Sequence, residues 1–164
     1  MTDFMGLNAT RRNHALEHAT ITVLLERMGF RRRLAGRSNA SGFYILGNLP
    51  TEAVEKAVSD ALTRLQRGEA DLAVSPFCGT NLAVSGILAG LCTLGMTQGR
   101  GGLAQRASNA MLGGILAVIV GQPLGALAQK YITTSPNLAG VKVRKVAATG
   151  WGPFTVHKVD ITQA

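Results

Sequence analysis

Between Asn13 and Thr20 the chain carries residue types, and a spacing, that suit a metal centre. In Asn13-His-Ala-Leu-Glu-His-Ala-Thr20, His14 and His18 are four residues apart. On a helix such residues share a face one turn apart. Two imidazoles so placed can grip one metal ion, with zinc the expected choice. Glu17 falls three residues after His14, beside the same face. The order His-x-x-Glu-His is that of the inverted zinc-peptidase motif. There the glutamate is not a ligand. It takes a proton from the attacking water and later passes it to the leaving amine.

Two of the three histidines in the chain lie in this string. The pattern fixes only three positions in five, and a solvated or hydrogen-bonded helix face would read the same way. A metal site also needs a third ligand. Glu69, Asp71, Cys78 and His157 are the candidates. Cys78 is favoured because Phe77-Cys-Gly-Thr-Asn81 stands at the mouth of an apolar run, and a thiolate suits zinc. The expected site is therefore His14, His18 and Cys78 on the metal, with Glu17 as the base.

The elements that must position these residues follow from periodicity and breakers. Residues 8–28 read as a helix capped by Asn8 or Thr10 and stopped at Gly29. Arg31 to Ser41 reads as a basic connector, and Gly42-Phe-Tyr-Ile-Leu-Gly47 as a short strand between glycines. Pro50 opens a second helix, where Val54, Ala57, Val58, Ala61, Leu62 and Leu65 recur at the helical period. Leu72 to Ser75 is a candidate second strand. Val141 to Val146 and Phe154 to Ile161 alternate, predicting a β-hairpin that pairs with the strand near Phe43 to Leu46.

Charge is distributed unevenly. Charged residues make up 16% of the 164 residues, against a hydrophobic fraction of 46%. None lies between Asp71 and Arg100, and none between Arg106 and Lys130. These gaps predict two membrane spans, about residues 77–96 and 107–129, each long enough to cross ~30 Å of hydrocarbon. The alternative is a buried helical hairpin in a soluble protein. The short loop from Thr97 to Arg106 makes the spans antiparallel neighbours. Gly86 with Gly90, and Gly121 with Gly125, are small-residue pairs that let helices approach closely in lipid. Pro123 is expected to kink the second span or to mark the interface.

The expected architecture is α+β. Residues 1–75 form an α/β segment, residues 76–130 a transmembrane hairpin, and residues 131–164 a β-hairpin packing back on the first segment. Basic residues flanking the spans set the orientation. Arg100 and Arg106 lie in the loop, against Arg64, Arg67, Lys130, Lys142, Arg144 and Lys145 on the other side. Both termini are thus expected in the cytoplasm, with the chain in the inner membrane. The amino-terminal residues have no apolar core before the first helix, so no cleavable signal is expected. Two cysteines make no disulfide framework. The net charge of +8 suits an anionic membrane surface; with only 5% aromatic residues, no nucleic-acid stacking platform is expected. Arg31-Arg-Arg33 with Arg37 is a candidate headgroup contact, and the glycines at 99, 101 and 102 make no phosphate loop.

The string His-Ala-Leu-Glu-His-Ala-Thr, the Gly36-Arg-Ser38 and Gly42-Phe segments, and Cys78-Gly-Thr-Asn81 before a span together resemble an uncharacterised bacterial family. It consists of small two-span membrane proteins defined by a domain of unknown function. The resemblance covers most of residues 13–130 and implies the membrane architecture. It draws attention to His14, Glu17, His18 and Cys78 and brings no activity. A separate likeness to pitrilysin-type zinc peptidases rests on the His-x-x-Glu-His string alone. Those enzymes are far larger and take a distal glutamate as third ligand, so their fold does not carry over.

Three functions fit. One is a membrane-anchored zinc hydrolase or peptidase. Another is a non-catalytic accessory subunit of a membrane complex, its histidines structural or ligating a metal, a haem or a chlorin pigment. The third is a scaffold that forms homo-oligomers through its glycine-rich spans.

Overall fold

The computed structural model describes residues 6–29, 33–98, 102–151 and 154–163. Arg31, Arg32, Arg100, Gly99 and Gly101, which figure in the charge and glycine readings above, lie outside them. Four helices and four strands follow in the order α1 (Leu7–Met28), β1 (Ala35–Asn39), β2 (Gly42–Leu46), α2 (Thr51–Gln66), α3 (Gly79–Thr97), α4 (Leu103–Ala128), β3 (Lys142–Trp151) and β4 (Phe154–Thr162). The fold is α+β. The chain divides into two compact units, residues 1–75 with 130–164, and residues 76–129.

In the first unit the strands form one antiparallel sheet in the order β1-β2-β4-β3. The carboxy-terminal strand β4 thus lies between its hairpin partner β3 and β2 of the β1–β2 hairpin, with Ile45 opposite His157 and Phe43 opposite Val159. Alternation on β4 sends His157, Val159 and Ile161 to the buried face. Val159 and Ile161 meet Phe43 and Ile45 of β2, Leu16, Val23 and Leu24 of α1, and Val54 and Val58 of α2 in one core. Truncating a side chain as buried as Phe43 to alanine costs about 3–5 kcal/mol.

Several local expectations are corrected. The N-cap position of α1 is Gly6, at φ 72°, and not Asn8 or Thr10; Thr10 Oγ1 donates back to the Gly6 carbonyl at 2.9 Å. The connector after α1 contains β1. Its residues Ala-Gly-Arg-Ser-Asn carry no apolar alternation because they are mostly exposed, and backbone pairing with β2 alone makes them a strand. Leu72 to Ser75 is no strand: Ala70–Ala73 is a 3₁₀ turn, and Val74 N–H donates back to the Asp71 carbonyl. The hairpin strand β3 runs to Trp151, well beyond Val146. Helix α4 starts at Leu103, continues past Pro123, and passes into a π turn at Gln129–Thr133.

The second unit is the hairpin of α3 and α4. Its packing explains the glycines. A Cβ on Gly121 would strike Ser85, and one on Gly125 would strike Asn81. Gly113 is likewise packed against Met96 and Cys92 of α3, whereas Gly86 and Gly90 face open space. Two buried amides of the hairpin are bonded, whereas the buried Ser85 hydroxyl has no hydrogen-bond partner among the described residues. Gln129 Nε2 donates to Asn81 Oδ1 at 2.7 Å, and Asn81 Nδ2 donates to the Pro76 carbonyl at 3.0 Å. Large apolar residues point outward, among them Leu82, Ile87 and Leu91 of α3 and Met111, Ile115 and Ile119 of α4. Both helices are long and apolar enough to cross a membrane.

Candidate metal centre

Helix α1 places His14 and His18 one turn apart, as the spacing requires. Their rings meet edge to face, with centroids 4.3 Å apart and planes at 61°. His18 is almost fully buried and His14 is half-buried. Each ring is held through Nδ1. That of His18 lies 2.8 Å from the Ala73 carbonyl oxygen, and that of His14 lies 3.0 Å from the Thr133 carbonyl oxygen.

A carbonyl oxygen only accepts, so both Nδ1 atoms carry the proton in these bonds. In the neutral rings the lone pair is therefore on Nε2 in both residues. This is the arrangement by which a second hydrogen bond fixes the tautomer of a ligating histidine.

The two carbonyls are themselves fixed. Ala73 ends the 3₁₀ turn. Thr133 lies in a segment strapped to α1: Arg11 donates to the carbonyls of Tyr131 and Thr134, and its own carbonyl accepts from Ser135 N–H. Arg12 adds bonds to the carbonyls of Asn137 and Ala139. Asn13, fully buried, ties the same turn of α1 to the β1–β2 turn through the Asn39 carbonyl and accepts from Gln163 near the carboxy terminus.

Glu17 is 5% exposed and points to β1. Ser38 Oγ donates to its Oε2. Gly36, two residues earlier on the same strand face, leaves the space the carboxylate fills, since a Cβ there would overlap it. Gly36 and Ser38 were not read from the sequence as part of the site. Their spacing of two was a usable signal, but only for a strand, and this stretch reads as a connector.

The sequence pattern of a domain of unknown function, DUF6391, matches residues 9–146. The chain belongs to the DUF6391 family. It is 36% identical over 138 residues to an uncharacterised protein of Picosynechococcus sp. (strain ATCC 27264 / PCC 7002 / PR-6), an alignment covering 76% of this chain. The aligned region spans 65% of that relative's length. No solved structure matches.

Each of the other candidate ligands of this DUF6391 chain has its own local setting. Cys78 belongs to the second unit, where it is the N-cap of α3 and its Sγ accepts from Thr80 N–H at 3.4 Å. Glu69 is ion-paired with Arg64 at 2.8 Å. With Glu26 on the same guanidinium, these bonds raise the Arg64 pKa above its ordinary value. Asp71 lies in the 3₁₀ turn. His157 is fully buried on β4, with Nε2 3.5 Å from Thr51 Oγ1, and burial holds its pKa below the ordinary histidine value.

Proposed function

We propose that this protein is a two-span membrane protein whose first helix carries a zinc site on His14 and His18. The observation that carries the reading is the pair of Nδ1 bonds to fixed carbonyls, which puts the lone pair of both rings on Nε2, the atom that would ligate the metal. Two imidazoles in this tautomer fit a borderline ion such as zinc.

Cys78 is proposed as the third ligand. Only four residues separate it from Ala73, whose carbonyl orients His18. It is the N-cap of α3, and its sulfur is a ligand type that suits zinc. Bound zinc would supply Lewis acidity for hydrolysis of an acyl bond. Glu17 would take the proton from the attacking water, its carboxylate oriented by Ser38.

The membrane reading rests on the helices of the second unit. A core helix of a soluble protein is apolar and buried, whereas these are apolar and exposed along most of their length. The basic flanks favour an orientation with both termini in the cytoplasm. A second reading is an accessory subunit with a structural metal. It is favoured by the depth of His18 and Glu17, each at most 5% exposed, which restricts a substrate's access.

Metal analysis of detergent-purified protein tests the proposal. About one zinc per chain is expected at neutral pH, where imidazole is mostly unprotonated. His14→Ala and His18→Ala should each abolish it. Glu17→Gln should keep the metal and remove hydrolytic activity. Less than about a tenth of a metal per chain after zinc addition would refute the site. Metal without any hydrolysis dependent on Glu17 would select the accessory reading.

A further inference from the structure

Strand β3 is an edge of the sheet, and α2 runs beside it. Between them lies an open groove of about 790 Å³. Its helix wall is Glu55, Ser59, Leu62 and Gln66, spaced four, three and four apart, which is one stripe of α2. Eleven residues of helix measure roughly 16 Å. That length takes about five residues of extended chain at ~3.4 Å each.

The strand wall is unusual in its charge. Between Val143 and Lys145 the pairing with β4 slips by one residue, so Arg144 is an extra residue in the strand. In a regular strand Val143 and Val146 would point to opposite faces. The bulge lets both pack against the core and leaves Lys142, Arg144 and Lys145 exposed along the groove. Against these three cations the groove has one carboxylate, Glu55.

We propose that this groove docks an extended acidic segment of a partner protein, which adds to the sheet as a fifth strand along β3. The strand edge offers main-chain hydrogen bonds, and side chains on one face of the segment meet the apolar floor at Leu62, Val143 and Val146. Carboxylates on the segment pair with Lys142, Arg144 and Lys145. A lipid headgroup would use the charge but neither the strand edge nor the groove's length. A nucleic acid would want stacking aromatics, and the lining has none. The proposal is independent of the zinc site.

The probe is a fluorescein-labelled eight-residue peptide of alternating glutamate and valine, titrated by anisotropy against the full chain in neutral detergent. Saturable binding is expected. Lys142→Glu, Arg144→Glu and Lys145→Glu combined should weaken it about tenfold or more, the sum of three modest ion pairs. A peptide with two central prolines, which lacks the needed N–H donors, should weaken equally. Ser59→Trp, which fills the groove at an exposed position away from the core, should block binding even if the triple variant fails to fold. Absence of binding overturns the proposal. So does equal binding of the proline peptide or of a lysine-for-glutamate peptide. Displacement of the peptide by vesicles of anionic phospholipid, with no displacement by neutral vesicles, assigns the surface to a membrane and overturns it too.

Discussion

Replacing Gly36 with alanine tests how the buried carboxylate of α1 is held. The new methyl group would occupy the place of the Glu17 carboxylate, so Glu17 must move. Moving it breaks the bond from Ser38, a bond to a charged group worth about 1.5–3 kcal/mol. Forcing an extra carbon into packed surroundings adds about 1–3 kcal/mol. The expected cost is therefore about 2.5–6 kcal/mol. Ser38→Ala, which removes only the donor, should cost about 1.5–3 kcal/mol. The decisive measurement is a double-mutant cycle by reversible denaturant unfolding of the full chain. In a Glu17→Ala background the clash and the hydrogen bond both vanish, so Gly36→Ala should become nearly neutral. The coupling should then approach the single-mutant cost, beyond the few tenths expected of independent sites. An unchanged cost of Gly36→Ala in that background would refute the arrangement of Gly36, Ser38 and Glu17.

Two further outcomes follow. His157 is buried with its pKa below 6.5, so the folded state binds fewer protons than the unfolded chain once pH falls below that value. Its share of stability is present above pH ~6.5 and is lost as pH drops toward the folded pKa, by at most ~1.4 kcal/mol per pH unit; His157→Leu should flatten this slope in chelator-treated protein, and an identical slope would show that His157 is not responsible. For the topology, single cysteines at Gln98 and Ser41, in a chain with Cys78 and Cys92 replaced by serine, should label from opposite sides of the membrane, and equal labelling of both from the cytoplasm would rule out the hairpin.

Some of this architecture is legible in the residues alone. Local periodicity finds α1 and α2, since Val54, Val58 and Leu65 recur wherever the helix packs. Absence of charge outlines the two long apolar helices, because burying even one charge in apolar surroundings is expensive. Alternation finds the core face of β4, where Val159 and Ile161 are buried. The four-residue spacing of His14 and His18 requires only a helix to bring the rings together.

What the sequence does not contain is decided by pairing at long range. Ala35–Asn39 is a strand only because β2 lies beside it, and no side-chain pattern records a backbone hydrogen bond. Leu72–Ser75 looks like a strand by composition, yet no strand pairs with it and its chain turns locally instead. The bulge at Arg144 is invisible to a count of alternation, because it is the register with β4 that slips. The tautomer of the histidines is set by the carbonyls of Ala73 and Thr133, 55 and 119 residues away along the chain. A carbonyl is common to every residue, so only the tertiary structure can select which two of them hold the rings.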